Sequence, residues 1–263
     1  MPIEDIHELV EVLEKAGELK KITTEVDSEL ELAEILRRTM YDNGPALLFE
    51  NVKGSSFPVA TNLFGSEERL RLALGCNPKE LGEEILSFAE KVMPPKLDNL
   101  FKSVPFIRRL TNFRSKEQAF NPPCQQIEDT INLEDLPIIK CWPEDGGRFI
   151  TMGLTITESP INGKSNMGMY RLQMHEKDKL GMHWHPHKGG ATHYHEAKQL
   201  GQTFPAAIVL GGDPSLIFAA IAPLPENINE LLFSAFLKRK PITLCKAKTV
   251  SYTHLTLPTI YSV

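Results

Sequence analysis

Apolar positions recur at two different periods along this chain. Up to about residue 92 the helical period dominates. Ile6, Leu9, Val10 and Leu13 fall at i, i+3, i+4 and i+7, one helical stripe that Gly17 then closes. Ser28 followed by Glu31 matches a capping box, and Leu32, Ile35 and Leu36 continue the helix it would open. Ala46–Glu50 and Val59–Asn62 read as short strands separated by a Gly-Ser turn, and helical patterns return near Glu67–Leu74 and Lys79–Val92. These stripes speak of core packing, not of chemistry. The periodicity stops at Met93-Pro94-Pro95-Lys96, where two prolines forbid its continuation, and this predicts a domain boundary. Beyond it the apolar runs shorten and are punctuated by Pro and Gly. Asn121–Gln125 (NPPCQ), Leu136–Ile139 (LPII), Thr151–Glu158 (TMGLTITE) and a run ending over Val209–Gly212 predict a β-rich barrel or sandwich rather than alternating βαβ units. Leu231–Leu237 reads as a helix after the turn Pro223-Leu224-Pro225. The chain has no internal repeat and no low-complexity segment.

Composition narrows the class. A chain of 263 residues with 41% hydrophobic and 24% charged residues is globular, with room for one large domain or two ordinary ones. No apolar run approaches the roughly 18 residues needed to cross a bilayer. A net charge of −5 gives no basic footprint for nucleic acid. The N-terminus MPIEDIHELVEVLEKAGELKK is acidic and amphipathic, unlike a secretory signal or transit peptide. Cys76, Cys124, Cys141 and Cys245 are scattered without a CxxC pair, which fits a reducing cytoplasm better than a disulfide framework. The expectation is a soluble cytoplasmic protein.

The candidate chemistry is concentrated. Six of the eight histidines lie between His175 and His195. His183, His185 and His187 alternate, so on an extended strand they would share one face. Three imidazoles on one face suggest zinc, although Pro186 disturbs such a strand; the plain alternative is a polar strand with solvated histidines. Asn166 and Arg171 lie upstream of this cluster, and Lys188, Gly189 and Gly190 end it. Arg binds phosphate bidentately, Lys adds a point charge, and Gly lets backbone N–H groups approach closely. The carboxamide of Asn166 offers a hard oxygen. Joined by one imidazole and one carboxylate, it makes a mixed N/O set suited to Mn²⁺ or Mg²⁺ with phosphate oxygens completing the shell. Glu230 is the candidate carboxylate, though a glutamate at a helix start is adequately explained by the helix dipole.

Ser165–Gln173 (SNMGMYRLQ), Met182–Ala191 (MHWHPHKGGA) and Leu210–Glu230 (LGGDPSLIFAAIAPLPENINE) together resemble the UbiD family of decarboxylases, and the similarity runs from the N-terminal helix to about Thr249. The resemblance implies a carboxy-lyase that uses prenylated FMN on aromatic or α,β-unsaturated acids, such as 4-hydroxy-3-polyprenylbenzoate in quinone biosynthesis. It implies an α+β fold: an N-terminal α/β domain over residues 1–100, then a prenylated-FMN-binding split β-barrel of the flavin-reductase type over residues 101–249, incomplete here, with a C-terminal α/β domain missing. Carried over residue by residue, the metal ligands fall on Asn166, His187 and Glu230, holding Mn²⁺ with K⁺ nearby against the flavin phosphate. The flavin contacts fall on Met169, Tyr170, Arg171, His183, Trp184, His185, Lys188 and Gly189, and Arg171 is the catalytic arginine that orients the substrate carboxylate. His183 and His185 stand where the family tolerates other residues, so only His187 of the three is expected to touch metal. The cofactor serves as electron sink while CO₂ departs, and a downstream carboxylic acid protonates the remaining carbon. That acid lies on a segment this chain does not contain. The implied partners are an aromatic acid substrate, a flavin prenyltransferase supplying the cofactor, and further copies of the full-length chain. A polyprenylated substrate would bring the protein to a membrane periphery.

The last residues need their own account. Back-translated, Val250–Thr259 matches the transposase end sequence and adapter of a common sequencing-library chemistry, so Ser251–Val263 are expected to be adapter-derived; an ordinary β-rich tail is the alternative. On this reading the fragment lacks its proton donor and is inactive. Two other functions stay open: a flavin-phosphate binding module without catalysis, and a His-rich metal-dependent hydrolase. Within the family, a menaquinone precursor and simple phenolic acids stand beside polyprenyl hydroxybenzoate as substrates, and some relatives run as carboxylases.

Overall fold

The computed structural model describes residues 3–92, 115–118, 120–127, 132–224, 228–248 and 254–257. The predicted boundary at Met93–Lys96 lies outside them. Helix α1 (Ile6–Lys15) starts where Asp5 accepts a hydrogen bond from the Glu8 N–H at 2.8 Å, and Leu9 and Leu13 of its stripe are fully buried. Gly17, at φ 76°, takes the left-handed conformation that stops the helix, as its position in the sequence predicts. Strand β1 (Leu19–Ile22), helix α2 (Glu31–Tyr41) and strand β2 (Ala46–Phe49) form a parallel crossover with Leu19 opposite Ala46, and β3 (Val59–Thr61) adds antiparallel to β2. The start of α2 departs from the predicted capping box. Glu31 accepts from the Asp27 N–H at 2.8 Å, while Ser28 is buried and gives its carbonyl to the Lys140 N–H at 3.1 Å. Tertiary pairing claims the serine, and the aspartate one residue earlier takes over the turn. Helices α3 (Glu67–Leu74) and α4 (Pro78–Val92) complete this half.

In the second half, β4 (Lys116–Glu117) pairs parallel with β11 (Thr243–Lys246), and β12 (His254–Leu257) pairs antiparallel with β11. Strand β12 lies inside the segment that the sequence reading assigns to adapter. Strands β5 (Phe149–Ile150), β8 (Leu172–Glu176) and β9 (Lys179–Met182) form one antiparallel sheet, and β10 (Ala207–Val209), β6 (Leu154–Glu158) and β7 (Ser165–Met169) form another. Helices α5 (Gly189–Gln199), α6 (Pro214–Ile221) and α7 (Glu230–Lys238) pack around them. The architecture is mixed α/β. Among the described residues the strands make four three-stranded sheets and no closed barrel. Two predicted β runs are corrected. NPPCQ turns as a 3-10 helix over Pro123–Gln125, and Leu136–Ile139 yields only an isolated bridge from Ile139 to Phe149. Prolines 122, 123 and 137 withhold the N–H groups that a ladder needs.

The β10–β6–β7 sheet is covered on both faces. Leu154, Ile156 and Met167 point to the main core with Leu216, Ile217, Leu231 and Ala235 of α6 and α7. The opposite face, carrying Thr155, Thr157 and Asn166, lies under α5. Ile6 and Phe64 join this core from the N-terminal half, and Phe64 meets Phe218 edge-to-face at 5.2 Å. A buried ionic knot fastens the halves. Lys238, 4% exposed, pairs with the equally buried Asp213 and reaches Glu4 at 2.7 Å, while Lys240 meets the other Glu4 oxygen at 2.5 Å. Asp213 also caps α6 by accepting from the Ser215 N–H at 2.6 Å. Replacing Lys238→Met strands a buried carboxylate and is expected to cost about 3–5 kcal/mol in urea unfolding. Adding Asp213→Asn should return more than half of it, because the cap survives while the stranded charge is gone.

Candidate cofactor and metal site

Among the described residues, strand β7 is an edge strand, paired only with β6. Its Met167 N–H faces away from β6 and donates to Glu230 Oε2 at 3.3 Å. Glu230 is the first residue of α7, after Asn229, whose side chain caps the helix through the Leu231 N–H at 2.8 Å. The helix start that composition predicts therefore sits on the open edge of the strand carrying Asn166. Burial holds the Glu230 carboxyl above the usual carboxylate range, against the pull of backbone N–H donors. Asn166 projects toward α5, and its Nδ2 is buried without a hydrogen-bond partner. A Cβ at Gly189 would stand 2.2 Å from Asn166 Oδ1, so only glycine lets the first turn of α5 come this close.

Gly190 serves the same approach. Its N–H donates to Tyr170 Oη at 3.0 Å, and a Cβ there would lie 2.3 Å from the Trp184 ring. Tyr170 is buried, its phenol pushed up by burial, and its ring meets Trp184 edge-to-face at 4.9 Å. Trp184 continues into an aromatic group with Tyr194 and Phe204. Lys188, exposed, stands at the N-cap position of α5 without a side-chain cap, so the positive end of an 11-residue helix opens beside Asn166. The carboxamide oxygen of Asn166, a buried carboxylate and a glycine-opened helix N-terminus are groups that could take a hard cation and a phosphate.

Arg171 leaves on the other side of the turn between β7 and β8. Its Nη2 donates to Asp145 Oδ2 at 2.9 Å, and its guanidinium lies 3.8 Å above the Phe149 ring. Nε and Nη1 have no hydrogen-bond partner among the described residues, and the side chain is 40% exposed. The group is thus held in place yet able to receive a carboxylate.

Other predicted residues are placed differently. The histidines do not share a strand face: β9 ends at Met182, and His183, His185 and His187 occupy the exposed loop before α5, because Pro186 turns the chain there. The rings of His185 and His187 are 5.8 Å apart, and among the described residues no hydrogen bond or ion pair ties His187 to Asn166 or Glu230. No three His, Cys, Asp or Glu side chains converge on a metal position among the described residues; an amide–imidazole–carboxylate set contains only two such groups. His183 is joined to Arg171 through its backbone N–H at 3.1 Å, and Met169 packs on the main core.

Three participants are missing from the sequence reading. Asp145 and Phe149 hold Arg171 across a separation in sequence that no local motif bridges. The third is His193 of α5, buried, whose Nδ1 lies 3.0 Å from Thr157 Oγ1. Thr157 is the cross-strand neighbour of Asn166, so this contact seats α5 over the predicted ligand. Burial holds the His193 imidazole below its ordinary range. The contribution of the neutral form is therefore complete above about pH 6.5 and is lost as pH falls through the lower folded value. Melting temperature should drop between pH 7.5 and 5.5, and His193→Asn should flatten that slope. Gly190→Ala should cost about 1–3 kcal/mol in chemical unfolding, since Trp184 and Tyr170 fix each other and neither can give way.

Residues 115–257 match the family described as the 3-octaprenyl-4-hydroxybenzoate carboxy-lyase Rift-related domain, and residues 10–89 match its N-terminal domain. Uncharacterized proteins of Aquifex aeolicus and Chlamydia muridarum are each 42% identical to 94% of the chain, which covers 51% and 42% of their respective lengths. The chain thus spans about half of the relatives it matches. Among solved structures, vanillic acid decarboxylase from Sedimentibacter hydroxybenzoicus in its closed form is 26% identical with a TM-score of 0.81 over 98% of this chain and 54% of that one. The UbiD-class enzyme HmfF from Pelotomaculum thermopropionicum, in complex with FMN, is 25% identical with a TM-score of 0.77 over 97% and 53%. An evolved dimeric HmfF in complex with prFMN gives 0.79 at 25% identity, over 98% and 55%. No helix among the described residues is long and apolar enough to cross a membrane. Taken with the glycine-opened helix and the carboxylate at the sheet edge, these matches establish that the chain belongs to the UbiD family of carboxy-lyases, whose N-terminal and Rift-related domains it carries.

Proposed function

We propose that the complete protein catalyses prenylated-FMN-dependent, non-oxidative decarboxylation or carboxylation of an aromatic or unsaturated acid, with 4-hydroxy-3-polyprenylbenzoate in quinone biosynthesis as the leading substrate. The observation that carries this reading is the approach of the α5 N-terminus to Asn166 and of the buried Glu230 carboxylate to Met167, neighbouring residues of β7, with a half-exposed Arg171 two residues past the strand's end. Asn166 and Glu230 would hold Mn²⁺, with His187 brought in from its exposed loop as third ligand and K⁺ nearby. Lys188, Gly189 and the helix N-terminus would take the flavin phosphate, and Met169, Tyr170, His183, Trp184 and His185 would line the rest of the cofactor. When bound, the cofactor supplies an electron sink for the carbon that loses CO₂. Arg171 orients the substrate carboxylate, and Asp145 and Phe149 keep its guanidinium in place.

The domain assignment belongs to the same proposal: an α/β unit over residues 1–100, a split β-barrel over 101–249, and adapter-derived residues over 250–263. A flavin prenyltransferase as cofactor supplier, homo-oligomeric assembly and a cytoplasmic place, peripheral to a membrane for a polyprenylated substrate, complete the reading.

Binding tests it with the chain as it stands. Flavin fluorescence and bound-metal analysis should show FMN and Mn²⁺ taken up together. Asn166→Ala and Glu230→Gln should each weaken Mn²⁺ retention by about 10–100-fold, a loss typical of a disturbed metal site. Equal retention by both variants sinks the assignment. For the full-length enzyme loaded with prenylated FMN, CO₂ release from polyprenyl hydroxybenzoate, a menaquinone precursor and simple phenolic acids decides the substrate.

A further inference from the structure

Two of the four cysteines, 121 residues apart in sequence, meet in the fold: Cys124 Sγ lies 3.2 Å from Cys245 Sγ. Their approach is built by the backbone around them. Lys116 pairs with Thr243 and Glu117 with Leu244, and the Gln118 N–H continues the ladder to the Leu244 carbonyl at 2.7 Å. Beyond the 3-10 turn of Pro123–Gln125, Gln125 Nε2 donates to the Lys246 carbonyl at 2.6 Å. The chain carrying Cys124 is thus tied to β11 on both sides of Cys245. Among the described residues no third His, Cys, Asp or Glu joins the pair as a metal site. Cys124 is half-buried, whereas Cys245 is 1% exposed.

We propose that Cys124 and Cys245 form a site of reversible oxidative modification, closed to an intramolecular disulfide by a small-molecule disulfide such as oxidised glutathione. The sulfurs need to approach by about 1.2 Å to reach bonding distance. Exposure sets the order of events. The Cys124 thiolate attacks one sulfur of the oxidant, forming a mixed disulfide and expelling one small thiolate. The Cys245 thiolate then attacks the Cys124 sulfur and expels the second. The two protein thiols lose two electrons and two protons, and the oxidant departs as two thiols. Every candidate site residue, from Asp145 to Glu230, lies inside the loop this bond would close. In a reducing compartment the bond opens again, so the pair responds to oxidation without being a permanent staple. This inference is independent of the proposed catalytic reading.

The test uses the purified chain, incubated with oxidised glutathione, alkylated under denaturing conditions and mapped by mass spectrometry. The expected result is a dithiothreitol-reversible peptide pair joining Cys124 to Cys245, with Cys76 and Cys141 left as thiols or as glutathione adducts. Cys245→Ser should stop at a glutathione adduct on Cys124, and Cys124→Ser should leave Cys245 alkylatable only after denaturation. The oxidised wild type should melt roughly 5–10 °C above the reduced form, because a long loop is closed in the unfolded state. The proposal is overturned if wild type keeps both thiols, if it halts at the Cys124 adduct, or if other cysteine pairs link instead. A Cys124–Cys245 bond that lowers the melting temperature overturns it as well, since the contact would then not be preformed.

Discussion

One hydrogen bond organises the site: the Met167 N–H of an edge strand given to the Glu230 carboxylate. An open strand edge inside a protein needs a partner for each N–H that turns away from the sheet. Here a helix N-terminus supplies it, and a carboxylate is thereby fixed where burial disfavours its charge. A buried carboxylate is stabilised when a positive group shares it, and Asn166 stands one residue back along β7. The same geometry that closes the sheet thus places the carboxylate that the proposed cation would use. Glu230 sits at one end of α7, and at the other Lys238 is locked to Asp213 and Glu4. The helix is held at both ends by charge, so the carboxylate has little freedom to drift from the strand.

Strand β7 divides two environments by its alternation. Met167 and Met169 fill the main core, and Asn166 turns to the polar face under α5. On that face the usual apolar contacts are replaced by Thr155, Thr157 and His193, all buried. A buried polar face demands close, satisfied partners. Glycines 189 and 190 give the helix the approach this requires, at a cost in backbone entropy that the contacts with Tyr170 and Trp184 offset.

Much of this was legible in the residues. The N-terminal helices follow their stripes because packing there agrees with local propensity, and Glu230 begins a helix as its neighbours predict. Asn166 and the Lys188-Gly189-Gly190 turn do meet, on the evidence of the Gly189 approach. What failed were readings of the strand period through proline. LPII and NPPCQ look extended, yet each contains a proline that removes a ladder donor, and they fold as a lone bridge and a turn; at the three alternating histidines the strand is interrupted at Pro186, as the sequence indicates. The capping box at Ser28 failed for another reason: a distant segment at Lys140 recruited that serine's backbone, and nothing local announces such a contact. The partners of Arg171 were hidden in the same way, because the pairing of β5 with β8 places Asp145 and Phe149 beside it.

Those partners bear on what the proposed site would accept. A lone arginine beside a cofactor would bind any anion and swing to meet it. Held by Asp145 on one nitrogen and by the Phe149 ring on its face, the guanidinium is fixed in orientation, with N–H donors on Nε and on Nη1 left to meet an anion from different edges. The negative charge of Asp145 also lowers the attraction for a dianion more than for a monoanion, since repulsion scales with the ligand's charge. Asp145 thus weakens the pull of the guanidinium on every anion, and what the ion pair adds is orientation of the arginine rather than a choice among acids.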